Sequence, residues 1–206
     1  MKKPHEAADW IAQSDRRVSS SIIDQVSRGL ARQSPEEAFA WATSLQQKTT
    51  RSRALLAVAG VTRDATPEQL IAWARGVGPS GSSVVSTIIK KWQDLPPQTA
   101  VAMAETIESP KSRGDSLATL ASNWAEKDMN GTRNWVDKIA DDHDRSHALM
   151  GIVFTLATSD QPVEAAHLAV TIPDDTVRAR LSRDLANLIS KQHPEQIGTV
   201  TEILGP

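Results

Sequence analysis

A bulky side chain recurs six times along the chain, as Trp10, Trp41, Trp73, Met103, Trp135 and His167, at gaps of 31, 32, 30, 32 and 32 residues. A turn signal stands five or six residues ahead of most of them: Pro35, Pro67, Pro97, Asn130-Gly131 and Pro162. A period of that length with two helical stretches in it is the pattern of stacked helix pairs. It predicts an all-α fold, a right-handed α-α superhelix of about six helix-pair repeats within a single domain, 1–206. The units fall at 6–36, 37–67, 68–97, 98–130, 131–162 and 163–194, with a terminal helix over 195–206.

Within each unit the first half is short and Ala-rich, as in 37–45 and 164–172, with apolar residues three or four apart. The second half is longer, and segments such as 53–61 and 147–156 carry a wide apolar stripe, as a helix packed on more than one side does. A second ladder, Trp92, Trp124, Leu156 and Leu188, repeats at 32 residues. The prolines fall between units or between the two helices of a unit, where they cost nothing; inside a helix each would cost about 3 kcal/mol. Ser34-Pro35-Glu36-Glu37 and Thr66-Pro67-Glu68 place a hydroxyl at the cap, Pro at the first helical position and acid in the first turn. Strand signals are missing, because β-branched runs are short and no Asn-Gly lies between alternating segments.

The formal charge of −2, from 23 Lys and Arg against 25 Asp and Glu, argues against nucleic acid as the main partner. With no cysteine, thiolate metal sites, thiol nucleophiles and disulfides are excluded. No stretch approaches the ~18 apolar residues that span a bilayer. After Met1-Lys2-Lys3 the apolar core of an export signal is replaced by Ala7-Ala8-Asp9-Trp10. A cytoplasmic location is the expectation, though a soluble fragment of an anchored or exported protein would read the same way.

Pro followed six residues later by Trp (Pro35/Trp41 and Pro67/Trp73) resembles the boundary between consecutive tetratricopeptide repeats. The chain departs from that family in its shorter period and in having no Tyr. As architecture it is similar to tetratricopeptide-like and HEAT-like α-solenoids over nearly its whole length. That resemblance implies a scaffold binding proteins or peptides along a concave groove.

The recurrence of Trp10, Trp41, Trp73 and Trp135 predicts that they serve the repeat core rather than a stacking platform. Arginine recurs at the start of second helices, at Arg17, Arg51, Arg113, Arg145 and, approximately, Arg178. Guanidinium groups in a row suit carboxylates or phosphates by bidentate geometry, which makes Arg51, Arg113 and Arg145 the candidate partner-binding residues. The competing reading ties each Arg to carbonyls ending the preceding helix, or to a neighbouring acid, and its recurrence favours that reading.

The run 141–147 concentrates metal-ligand types, with His143 and His147 four apart. An N-cap at Asp144 or Ser146 would leave His143 in a turn and spoil the pair, so no metal and no cofactor are expected. The pairs Asp141/Asp142 and Asp174/Asp175 read as helix caps, and Asn130-Gly131 as turn chemistry in place of the missing Pro. Residues 76–83 have glycines at phosphate-loop spacing but Ser82 where such a loop needs Lys, and no strand precedes them. This break in the repeat reads as a longer loop and, since the array does not need it, as a place to look for function. The function expected is a non-enzymatic scaffold for a protein or peptide. The alternatives are nucleic-acid or polyanion binding through the arginines, and an enzyme built on stacked helices.

Overall fold

The computed structural model describes residues 4–14, 18–62, 65–77, 82–91 and 96–205. Every described regular element is helical. The helices are α1 (Pro4–Gln13), α2 (Ser20–Ala31), α3 (Pro35–Ser44), α4 (Lys48–Ala59), α5 (Pro67–Val77), α6 (Ser82–Lys91), α7 (Pro97–Ala104), α8 (Pro110–Ala125), α9 (Met129–Val136), α10 (Asp142–Thr158), α11 (Pro162–Ala169), α12 (Asp175–Gln192) and α13 (Ile197–Leu204). A 3-10 turn, Pro194–Gln196, leads into α13. The chain divides into two compact units, Met1–Ser109 and Pro110–Pro206.

Local chemistry explains where helices start. Ser34 accepts a hydrogen bond from the Glu37 N–H at 3.2 Å with Pro35 at the first helical position. Thr66 and Gln69 cap each other: the Gln69 N–H donates to Thr66 Oγ1 and the Thr66 N–H to Gln69 Oε1. Asp141 and Asp174 cap α10 and α12 as their sequence suggested. Two local expectations fail. Asn130 and Gly131 lie in the first turn of α9 rather than in a turn, because Asp128 is the cap and receives the Gly131 N–H at 2.8 Å. His143 lies inside α10, because Asp141 wins the cap over Asp144 and Ser146.

In the first unit, α2 packs on α1, α3 and α4, α4 on α6, and α5 on α7. Its core includes Ile23, Val26, Leu55, Val58, Ile89 and Met103, each 3% exposed or less. Full burial of such a side chain contributes about 1.5–3 kcal/mol. In the second unit, α10 lies against α8, α9, α11 and α12, and α13 against α11 and α12. Ile152, Leu156, Ile172, Leu185 and Ile189 are fully or almost fully covered there. Gly151 permits the closest approach, since a Cβ on it would stand 2.2 Å from the Ala118 carbonyl oxygen of α8.

The side-chain bonds between helices have a common sequence separation. In the first unit the Trp41 indole N–H donates to the Ala8 carbonyl at 3.1 Å, Arg53 pairs with Asp24 at 2.6 Å, and His5 Nε2 lies 3.0 Å from Gln33 Oε1. In the second, Arg113 pairs with Asp144 at 2.7 Å, Arg133 with Glu164 at 2.6 Å, and Ser122 shares a hydroxyl bond with Thr155 at 2.9 Å. All six join residues 28 to 33 apart. That is one period of the sequence ladder.

The ladder itself does not mark uniform burial. Trp73 is 8% exposed and Met103 fully covered, whereas Trp41 and Trp135 are half-buried and His167 is exposed. Trp10 is 55% exposed, which overturns its assignment to the core. The reason lies in what its counterparts touch. Trp41 reaches back to α1, Trp73 stacks on Phe39 of α3, and Trp135 leans on Trp124 of α8. Among the described residues no helix precedes α1 to receive Trp10. Trp92 of the second ladder lies outside the described residues, as do Arg17 and residues 78–81 of the loop singled out above.

Candidate functional site

Three features have the chemistry to act: the arginines opening the second helices, a histidine–aspartate cluster between α8, α10 and α12, and an apolar cleft between α3 and α5.

The arginines share one local geometry. Arg51 donates to the Leu45 carbonyl at 3.0 Å and Arg145 to the Ile139 carbonyl at 3.1 Å, and Arg178 donates to the Ile172 carbonyl. Each acceptor stands six residues earlier, where the first helix of the pair has just ended and its last carbonyls lack helical partners. The planar guanidinium reaches that carbonyl and still turns an N–H toward an acid: Arg145 to Asp142, Arg178 to Asp175. Arg113 meets Asp144, one residue before Arg145, so two of the three candidate binding residues converge on the first turn of α10. Arg51 belongs to the other unit. All three are half-buried. The geometry matches the tie between helices that their recurrence favoured. A signal for it stands in the sequence and went unread: an aliphatic residue six positions ahead of the arginine, as in Leu45/Arg51, Ile107/Arg113, Ile139/Arg145 and Ile172/Arg178.

The second feature comes from helix register. With both residues helical, His143 and His147 lie on one face of α10, ring centroids 4.6 Å apart. His143 Nδ1 is 3.3 Å from Asp174 Oδ2, and the Ser146 hydroxyl accepts the Asp174 N–H at 3.0 Å, which fastens the start of α12 to α10. His147 lies against Gly114 of α8, where a Cβ would stand 2.7 Å from its ring. Burial, and then the neighbouring His143, hold the His147 imidazole below its ordinary pKa. The Val177 N–H, then the His143 ring, hold the Asp174 carboxyl below its own. His143 Nε2, His147 Nδ1 and Asp144 Oδ1 are buried without a hydrogen-bond partner. Among the described residues, however, no three His, Asp or Glu side chains gather in a metal-holding group. Burial keeps the His147 imidazole neutral to lower pH than in water, and the cluster joins the start of α12 to α10 and α8.

The third feature was not foreseen. Phe39 and Trp73, one helix apart, stack with centroids 4.9 Å apart and planes 14° from parallel. They floor a cleft of about 440 Å³ whose walls are Ala40, Thr43 and Ala72, with Glu36 at one end. Ala40 and Ala72 are exposed, whereas Phe39 and Trp73 beneath them are 5% and 8% exposed. Glu36 accepts a bond from Gln69 across the cleft end, and Glu37 and Glu68 are exposed in the first turns of α3 and α5. The signal in the sequence was a Phe two residues before Trp41, with Ala on the outward positions of both helices.

Comparison with protein-family models, with curated proteins and with solved structures finds no match to this chain. Among the described residues no helix is long and apolar enough to cross a membrane.

Proposed function

We propose that the chain is a non-enzymatic helical-repeat scaffold of the α-solenoid kind that binds a protein or peptide partner. The cleft between α3 and α5 carries this reading, because it joins a stacked aromatic pair to exposed Ala walls, with Glu36 at one end and Glu37 and Glu68 exposed on the same two helices. Clefts of that make-up take an aliphatic or aromatic anchor from a partner, and the acids favour an anchor flanked by Lys or Arg. The arginines support the scaffold. Their N–H groups meet helix-end carbonyls and acids of the chain itself, which favours a protein partner at the cleft over a polyanion along the arginine edge.

The test is affinity capture with the intact chain, followed by titration of the purified partner against three proteins. These are the wild type, an Ala40→Arg/Ala72→Arg variant with a blocked cleft, and an Arg51→Glu/Arg113→Glu/Arg145→Glu variant. The proposal expects the blocked cleft to weaken binding at least ~10-fold with helicity and Tm unchanged. The arginine variant should lose stability. Undiminished binding by the blocked variant would refute the cleft, and loss of binding by a stable arginine variant would move the site to the arginine edge.

A further inference from the structure

Two exposed surfaces among the described residues complement each other in shape and charge. On α1, Trp10 has its indole more than half exposed. Its counterparts later in the ladder each reach an earlier helix: Trp41 donates to the Ala8 carbonyl, and Trp73 stacks on Phe39. Trp10 thus presents a flat apolar ring and an N–H donor to solvent, the combination that most often anchors a protein interface. Ile22 of α2 is also exposed, at 39%. The acids Glu6 and Asp9 lie on α1, which has no Lys or Arg.

The complementary surface belongs to α12 and α13. A groove of about 640 Å³ runs along α12, lined by Val170, Arg178, Ala179, Arg183, Ala186 and Leu204. Ala179 and Ala186 let another helix approach α12 closely, as Gly151 lets α10 approach α8. Val170, 39% exposed, is one of four large apolar side chains so exposed among the described residues; Trp10 and Ile22 are two of the others. Charge is opposite to that of α1: α12 carries Arg178, Arg180, Arg183 and Lys191 against Asp175 and Asp184. Arg183 is exposed, with its Nε on the Ala179 carbonyl of its own helix.

We infer that copies of this chain associate head to tail, α1 of one copy seating Trp10 in the α12/α13 groove of the next, with Asp9 facing Arg183. The contact is heterologous: each copy contributes one surface and retains the other, so association continues from copy to copy as concentration rises. The apolar ring supplies the anchor, and the charges set orientation and make the contact weaken with salt. This inference is independent of the α3/α5 cleft, which no residue of either surface lines.

Sedimentation equilibrium of the intact chain from micromolar to about 1 mM, at low and high salt, tests it. The wild type is expected to gain mass steadily with concentration, less so at high salt. Trp10→Ala removes one surface and Arg183→Asp the other, so each variant alone should stay monomeric over a range where the wild type associates. Both positions are exposed, so circular dichroism should show the fold unchanged. Mixing the two variants leaves one intact pair of surfaces and should give a complex that stops at two copies. Restoring the charge pair in reverse, Asp9→Arg with Arg183→Asp in one chain, should recover association. A wild type monomeric throughout, a Trp10→Ala variant that associates like the wild type, or a variant mixture that forms no dimer would each overturn the proposal.

Discussion

Gly151→Ala sets helix propensity against packing. The residue lies inside α10, where Ala is favoured over Gly by about 1 kcal/mol. Propensity alone therefore predicts a more stable protein. The structure predicts the reverse, because the new Cβ would stand 2.2 Å from the Ala118 carbonyl oxygen and 3.0 Å from the Ala121 Cβ. The first obstacle is backbone, so no rotamer change relieves it, and α8 and α10 must part by roughly 1 Å. Forced overpacking of this kind costs about 1–3 kcal/mol. Parting the helices also stretches the Ser122–Thr155 bond beside it, for about 0.5–1.5 kcal/mol more. After the propensity gain, a net loss of about 0.5–3.5 kcal/mol remains, which for a chain of this size lowers Tm by about 1–14 °C. Urea titration and thermal melts should be run beside Gly198→Ala in α13, where nothing lies within 4 Å of the new Cβ. That control should gain up to ~1 kcal/mol. Equal stabilisation by both substitutions would show that α8 and α10 do not approach as described.

Three further outcomes follow from the same geometry. Arg145→Met should cost about 1–3 kcal/mol by orphaning the Ile139 carbonyl, and Arg145→Lys should recover little, since an ammonium lacks the planar fork that reaches it; full rescue by Lys in urea melts would refute the planar tie. Asp174→Ala should cost about 0.5–2 kcal/mol through loss of the α12 cap, and Asp174→Asn should be milder; equal losses would mean the cap bonds to Thr176 and Val177 are not what matters. His147, held below its ordinary 6.5 in the folded chain, binds a proton more readily when unfolded, so its contribution to stability is intact above pH 6.5 and is lost as pH falls below that value. His147→Gln should flatten that slope in denaturant titrations between about pH 7.5 and 5.5, whereas the Asp24 and Asp174 contributions disappear only below about pH 4. An unchanged slope would remove His147 as its cause.

Helix positions were legible because their signals are local. Ser34, Thr66, Asp141 and Asp174 lie beside the N–H groups they cap, and the prolines mark where helices cannot continue. Where several caps compete within a few residues, as Asp141, Asp144 and Ser146 do, composition does not choose. The choice is tertiary: Ser146 is committed to the Asp174 N–H and Asp144 to Arg113. The arginine ladder was visible, and so was the competition between a binding edge and a structural tie. What the pattern lacked was the aliphatic residue six positions earlier that supplies the carbonyl. Burial of the tryptophans was legible only as an average. A ladder says that a position is equivalent in each unit, but burial depends on the preceding helix, which Trp10 lacks among the described residues. The α3/α5 cleft depends on the gap left by small residues of two helices, which no single segment announces.

Within each unit the helices are held by neighbours close in chain order rather than by one shared nucleus. Within each unit the substantial packings join helices one or two places apart in chain order. Nuclear Overhauser contacts on a methyl- and indole-labelled sample measure this directly. Cross-peaks should link the Trp41 indole with Ala8, Phe39 with Trp73, and Thr155 with the Ala118–Ser122 turn. Within each unit, core methyls two or more periods apart should show none. A dense set of contacts between such distant methyls, with these one-period peaks missing, would mean a shared nucleus instead.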